Sequence, residues 1–151
     1  MNHLFLMTDD MKEKEFTYVD LGLPSGRLWA SENAEGYYTF DDAREKFGEL
    51  VPKPEAFVEL WKECQWLWDV KGRRMVVVGP NNNTIFLPAS GFRHCACSDL
   101  DYIGNEGRYW SCAPFTQGLA RYLYFCSDGI FPSDVELPWF GFSVRLCRES
   151  H

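Results

Sequence analysis

At Cys64 the hydrophobic period of this chain changes from that of a helix to that of strands, and it does not change back. Residues 39–48 read as a helix. Thr39 can cap it, Asp41 and Asp42 sit where the dipole favours acids, Phe40, Ala43 and Phe47 share a face, and Gly48 can end it. Residues 54–64 read as a second helix. Pro54 suits the first helical position, and Phe57, Leu60, Trp61 and Cys64 recur at helical spacing. Cys64 therefore reads as a core residue and not as a reactive thiol. Beyond it the segments are short and bounded by turns. Residues 65–70 and 74–78 flank a hairpin turn at Lys71, Gly72 and Arg73, and residues 79–83 turn into a strand over 84–88. Further strands are expected near 108–112, 119–126 and 141–146. Ahead of the helices, residues 16–21 and 27–30 read as strands separated by the turn Leu23, Pro24, Ser25, Gly26.

Two early helices and many later strands predict an α+β domain, and 151 residues suit one core. Trp29, Phe57, Trp61, Phe86 and Trp110 are the expected large core residues. Residues 1–15 are charged and unpatterned, so a flexible lead-in is expected ahead of a domain spanning 16–148. The net charge of −7, with no basic patch and no lysine after Lys71, argues against a nucleic-acid partner. No apolar run approaches a membrane span, so no membrane insertion is expected. The apolar stretch Leu4, Phe5, Leu6, Met7 is too short for a signal-peptide core and lacks a basic region before it. The expectation is cytoplasmic synthesis, with which packaging into a particle is compatible.

The residues capable of chemistry fall into no catalytic pattern. His94, Cys95 and Cys97 are the best metal candidates, because imidazole and thiolate suit zinc, but no second close Cys/His pair follows them. A thiol or zinc enzyme using these three residues is an alternative that spacing alone leaves open. No Gly-x-Ser-x-Gly elbow, phosphate-binding glycine loop or EF-hand spacing occurs. Paired acids such as Asp99 and Asp101 are common on the solvated face of any acidic protein. The loop Asp128 to Asp134 reads as a plain turn. No cofactor is expected. Of the six cysteines, five lie after residue 90, and a chain of this size needs no disulfide framework to fold.

What remains is an excess of aromatic residues in the last third. Tyr102, Tyr109, Trp110, Phe115, Tyr122, Tyr124, Phe125, Phe131, Trp139, Phe140 and Phe142 are too many for one short core. Over residues 121–126 alternation places Tyr122, Tyr124 and Cys126 on one face and Arg121, Leu123 and Phe125 on the other, with one face expected outside. Exposed Tyr, Trp and Arg are the residues of binding hot spots. An ordinary aromatic-rich core with a wet rim would give the same composition.

Four separated motifs carry a resemblance: Tyr18 to Ala30 (YVDLGLPSG-x-LWA), Gly79 to Ala89 (GPN-x-N-x-IFLPA), Tyr109-Trp110-Ser111, and Gly141 to Arg145 (GFSVR). Together, over roughly residues 16–148, they resemble the Fibrobacter succinogenes major paralogous domain. They resemble especially its phage- and prophage-associated members in gut bacteria, which are variable proteins of diversity-generating retroelements with a C-type-lectin-like fold. The resemblance implies two helices packed on a twisted antiparallel sheet with long loops. It also implies a non-enzymatic ligand-binding protein whose last third, about 91–148, is diversified for receptor recognition. The partner implied is a protein or glycan surface ligand, with phage structural proteins on the particle side.

In that family mutagenesis acts on template adenines, so Asn codons give many residues but never Lys, Met, Gln, Glu or Trp. The last third here has one Asn, Asn105, and no Lys or Met. By this rule the variable positions implied are His94, Cys95, Cys97, Asp99, Asp101, Tyr102, Arg108, Phe115, Arg121, Tyr122, Tyr124, Cys126, Asp128, Phe131, Asp134, Val135 and Phe140. Glu106, Gln117, Glu136 and Trp139 do not fit it. The Glu-Pro-Asn, Gln-Pro-Asp and Trp-Asn-Asp signatures of calcium-dependent sugar binding are absent, so that activity is not carried over. A non-diversified structural subunit of a phage-like assembly is a further alternative.

Overall fold

The structure, a computed structural model, describes residues 16–114 and 116–149. The expected lead-in over 1–15 and the candidate Phe115 lie outside the described residues. The architecture is α+β, with two helices and antiparallel sheets. In chain order the elements are β1 (Tyr18–Asp20), β2 (Leu28–Ala30), α1 (Phe40–Phe47), α2 (Pro54–Glu63), β3 (Gln65–Asp69), β4 (Arg74–Val78) and β5 (Thr84–Pro88). There follow β6 (Phe92–Arg93), β7 (Leu100–Asp101), β8 (Glu106–Pro114), β9 (Ala120–Cys126), β10 (Gly129–Glu136) and β11 (Cys147–Arg148). Their sheets have the orders β1-β2-β11, β3-β4-β5, β10-β9-β8 and β6-β7.

The helix boundaries follow from their caps. Thr39 Oγ1 accepts from the Asp42 amide at 3.1 Å, and Gly48 closes α1 at a positive φ of 54°. Pro54 opens α2, whose Ala56, Phe57 and Leu60 are buried. Trp61 was expected among them and is instead 43% exposed. The buried stripe centres between Ala56, Phe57 and Leu60, and Trp61 falls beyond its edge. Phe86 is also not a core residue, at 37% exposed. Strand alternation turns Ile85 and Leu87 inward and Phe86 outward, where the Arg74 guanidinium covers its ring at 3.9 Å.

The sheet β10-β9-β8 separates two packed clusters. On one side Tyr109, Leu123 and Phe125 meet Trp29, Phe57, Leu60, Val77 and Leu87. On the other Trp110 and Tyr122 meet Phe40, Phe92, Phe142 and Val144. Over β9 Leu123 and Phe125 are buried on one face, and on the other Tyr122 is buried while Tyr124 and Cys126 are half-buried, so the face expected outside is open only in part. β10 is a second correction, because residues 128–134 were expected to be a plain turn and Gly129–Glu136 form a strand. The strand tolerates Pro at the edge of the sheet, inside a register shift between Phe131 and Asp134.

Residues 141–146 do not form the expected strand. This buried stretch bonds a different neighbour at almost every residue: Gly141 with Arg93, Phe142 with Tyr38, Ser143 with Arg108 and Trp110, Val144 with Ala34, and Leu146 with Ala30. At its centre Arg145 is 1% exposed and donates to Asn33 Oδ1 (2.9 Å), the Ala30 carbonyl (3.0 Å) and the Phe86 carbonyl. Asn33 in turn donates to the Tyr109 hydroxyl, which donates to the Pro88 carbonyl. Burial pulls the Arg145 guanidinium down to about 10. This network ties β2, β5, β8 and the C-terminal stretch into one frame.

Candidate ligand-binding face

Register decides which of the last-third residues share a surface. Glu106 pairs with Cys126, Arg108 with Tyr124 and Trp110 with Tyr122 across β8 and β9. Tyr124 then pairs with Phe131 and Tyr122 with Asp134 across β9 and β10. Because side chains alternate, Glu106, Arg108, Trp110, Tyr122, Tyr124, Cys126, Phe131, Asp134 and Glu136 project from one face. Leu123 and Phe125 project from the other, toward α2. Gly107 makes that packing close, since a Cβ there would meet the Phe125 ring at 2.2 Å.

Trp110, Tyr122 and Phe142 form the floor of this face, with Trp110 and Phe142 stacked at 4.2 Å. Arg108 stands above it. Its guanidinium lies 3.8 Å from the centre of the Phe92 ring and 5.2 Å from that of Tyr124. Glu106 pairs with it at 3.0 Å and Glu136 at 3.7 Å. Its charge is thus neutralised by Glu106 on its own strand and by Glu136 on β10. The Tyr124 hydroxyl reaches Glu106 at 3.5 Å, and burial with that carboxylate pushes it up to about 12.

The rim is aromatic and acidic. Tyr102 and Phe140 stack on Phe92, at 5.7 and 6.1 Å, and His94 meets both Phe92 and Phe140 edge-on. His94 Nε2 lies 3.0 Å from Asp101 Oδ2. Phe131, 50% exposed, stacks on Tyr124 at 5.4 Å. Offset stacking of this kind fixes rings while leaving their outer faces open to a partner.

The structure thus brings His94, Asp101, Tyr102, Arg108, Tyr124, Cys126, Phe131, Asp134 and Phe140 to one surface. Cys95, Cys97 and Asp99 occupy the β6–β7 loop that adjoins it, and Asp128 is exposed at the β9–β10 turn. Arg121 and Val135 pair with each other and project from the opposite face of the sheet. Tyr122 needs correction as a displayed residue. It is 4% exposed and sits in the floor, because the strand period that places it beside Tyr124 also carries it under Phe142.

The sequence reading missed Phe92, the ring on which the rim stacks, and the Glu106–Arg108–Glu136 clamp. Glu106 and Arg108 lie two apart in a strand, which is the signal that would have paired them. Among the described residues no group of three or more His, Cys, Asp or Glu is placed to hold a metal, so His94, Cys95 and Cys97 lack a common focus. No described helix is long and apolar enough to cross a membrane. Comparisons of the chain with protein-family models, with curated proteins and with solved structures give no match.

Proposed function

We propose that this chain is a non-enzymatic ligand-binding protein of C-type-lectin-like fold, in which the β8–β10 face and the loops around it recognise a receptor. The carrying observation is convergence. His94, Asp101, Tyr102, Arg108, Tyr124, Cys126, Phe131, Asp134 and Phe140 are distant in sequence, yet they meet on one face. The residues between them, Gly107, Tyr109, Trp110, Ser111 and Gly141 to Arg145, are buried and build the frame. A tolerant surface on an intolerant frame is what diversification by a retroelement requires. On that reading the protein is made in the cytoplasm and carried on a phage or prophage particle. Its partner is a protein or glycan at a cell surface, met by aromatic anchors and adaptable polar groups. Many copies on one particle would raise avidity above the affinity of a single face.

Sequencing the DNA around the gene tests the diversification. The expected result is a near-copy of the segment encoding residues 91–148, differing at template adenines, beside a reverse-transcriptase gene. Flanking DNA with neither element would remove the retroelement from the account.

A further inference from the structure

The β6–β7 loop holds two thiols in contact. Cys95 Sγ and Cys97 Sγ are 3.4 Å apart, with only Ala96 between them in the chain. The loop is held in this shape by Ser98. Its hydroxyl accepts from the His94 amide at 3.0 Å and the Cys95 amide at 3.2 Å, and its carbonyl accepts from Arg93 at 2.6 Å. Cys97 is exposed, so reagents in solution reach the pair. We propose that Cys95 and Cys97 form a modification site, a dithiol that a low-molecular-weight disulfide oxidises to a disulfide within the loop.

The closing distance is small, since a disulfide needs its sulfurs at about 2 Å. The Cys97 thiol lies within hydrogen-bond reach of the Cys95 sulfur, and the backbone amides of Cys97 and Ser98 also face that sulfur. These contacts draw the Cys95 thiol down and push the Cys97 thiol up. The Cys95 thiolate, having given up its proton, attacks one sulfur of the oxidant. The oxidant's S–S bond breaks, one thiol leaves with a proton, and a mixed disulfide remains on Cys95. Cys97 then loses its proton and attacks the Cys95 sulfur, expelling the second thiol. Two protein thiols are oxidised and one external disulfide is reduced to two thiols. Three of the other cysteines are poor competitors. Cys147 is buried and Cys64 and Cys112 half-buried, and burial pushes all three thiols up. The loop also carries His94, so the disulfide would form at the rim of the binding face.

Oxidised glutathione is the probe. The folded protein is treated with it, alkylated with iodoacetamide and cut with trypsin, which releases residues 94–108 between Arg93 and Arg108. That peptide contains only these two cysteines. The expected product is about 2 Da lighter than the dithiol peptide and carries no alkyl group, and dithiothreitol restores two alkylatable thiols. The Cys97→Ser variant, altered at an exposed side chain, is expected to stop at a single glutathione adduct on Cys95. Two alkylated cysteines, two glutathione adducts or a cross-link from this peptide to another cysteine would each overturn the proposal. The readout involves no receptor, so it stands or falls separately from the proposed function.

Discussion

Arg145 is a cation in the middle of the frame, and no ion pair to it occurs among the described residues. Its replacement by methionine, which keeps most of the volume, isolates what the guanidinium contributes. Three acceptors lose their donor: Asn33 Oδ1 and the carbonyls of Ala30 and Phe86. Each stranded buried acceptor costs about 1–3 kcal/mol. Against this, the substitution removes a buried charge. The depression of its pKa to about 10 puts the relief at a few kcal/mol. The stranded acceptors win, and a net loss of about 3 kcal/mol is expected. Thermal unfolding should show it as a fall of about 6–12 °C in Tm. Arg145→Lys should lose less, because an ammonium can still serve part of the acceptor set. A methionine variant as stable as the parent, or more so, would mean that charge burial outweighs the hydrogen bonds, and the reasoning would be refuted.

Gly107→Ala should cost about 1–3 kcal/mol in urea unfolding, because its Cβ meets the buried Phe125 ring at 2.2 Å; an unchanged midpoint would count against that close packing. On the display side, Phe131→Ser should shift stability by no more than about 1 kcal/mol, whereas Tyr122→Ser should cost about 3–5 kcal/mol. Equal costs measured by denaturant titration would contradict the assignment of Tyr122 to the floor. Alkaline pH should weaken the fold. Burial raises Cys64 to about 11, and Tyr109 and Cys147 to about 12, so the native state keeps protons that the unfolded chain has lost, and these outweigh the proton that Arg145 gives up near 10. Stability is complete below the ordinary thiol range and falls as pH rises from about 9 toward 12. A urea midpoint that holds constant or rises over that window would contradict the burial of these groups.

Local order was legible where a side chain settles it within one element. Thr39, Gly48 and Pro54 marked the helix ends, and the Lys71–Gly72–Arg73 turn marked the β3–β4 hairpin. Properties set by distant partners were not legible. Trp61 and Phe86 are large and apolar, but whether they are buried depends on which stripe or face the rest of the fold covers. β10 was hidden by Pro132, which only an edge position and a register shift can accommodate. Residues 141–146 were patterned like a strand because they are buried, yet they take their hydrogen bonds from several elements in turn. The candidate face was half legible. Residue types flagged the positions, but the pairing of Tyr124 with Arg108 and Phe131, which makes them one surface, exists only after β8, β9 and β10 assemble.

The account rests on a division between a tolerant face and an intolerant frame, and two matched libraries measure that division directly. One randomises His94, Asp101, Tyr124, Cys126, Phe131 and Asp134 together, and the other Gly107, Tyr109, Trp110, Phe142 and Arg145. Protease resistance of the displayed variants scores the folded fraction. Most members of the first library should remain folded, and few of the second. Equal folded fractions, or a frame library more tolerant than the face, would contradict the central claim.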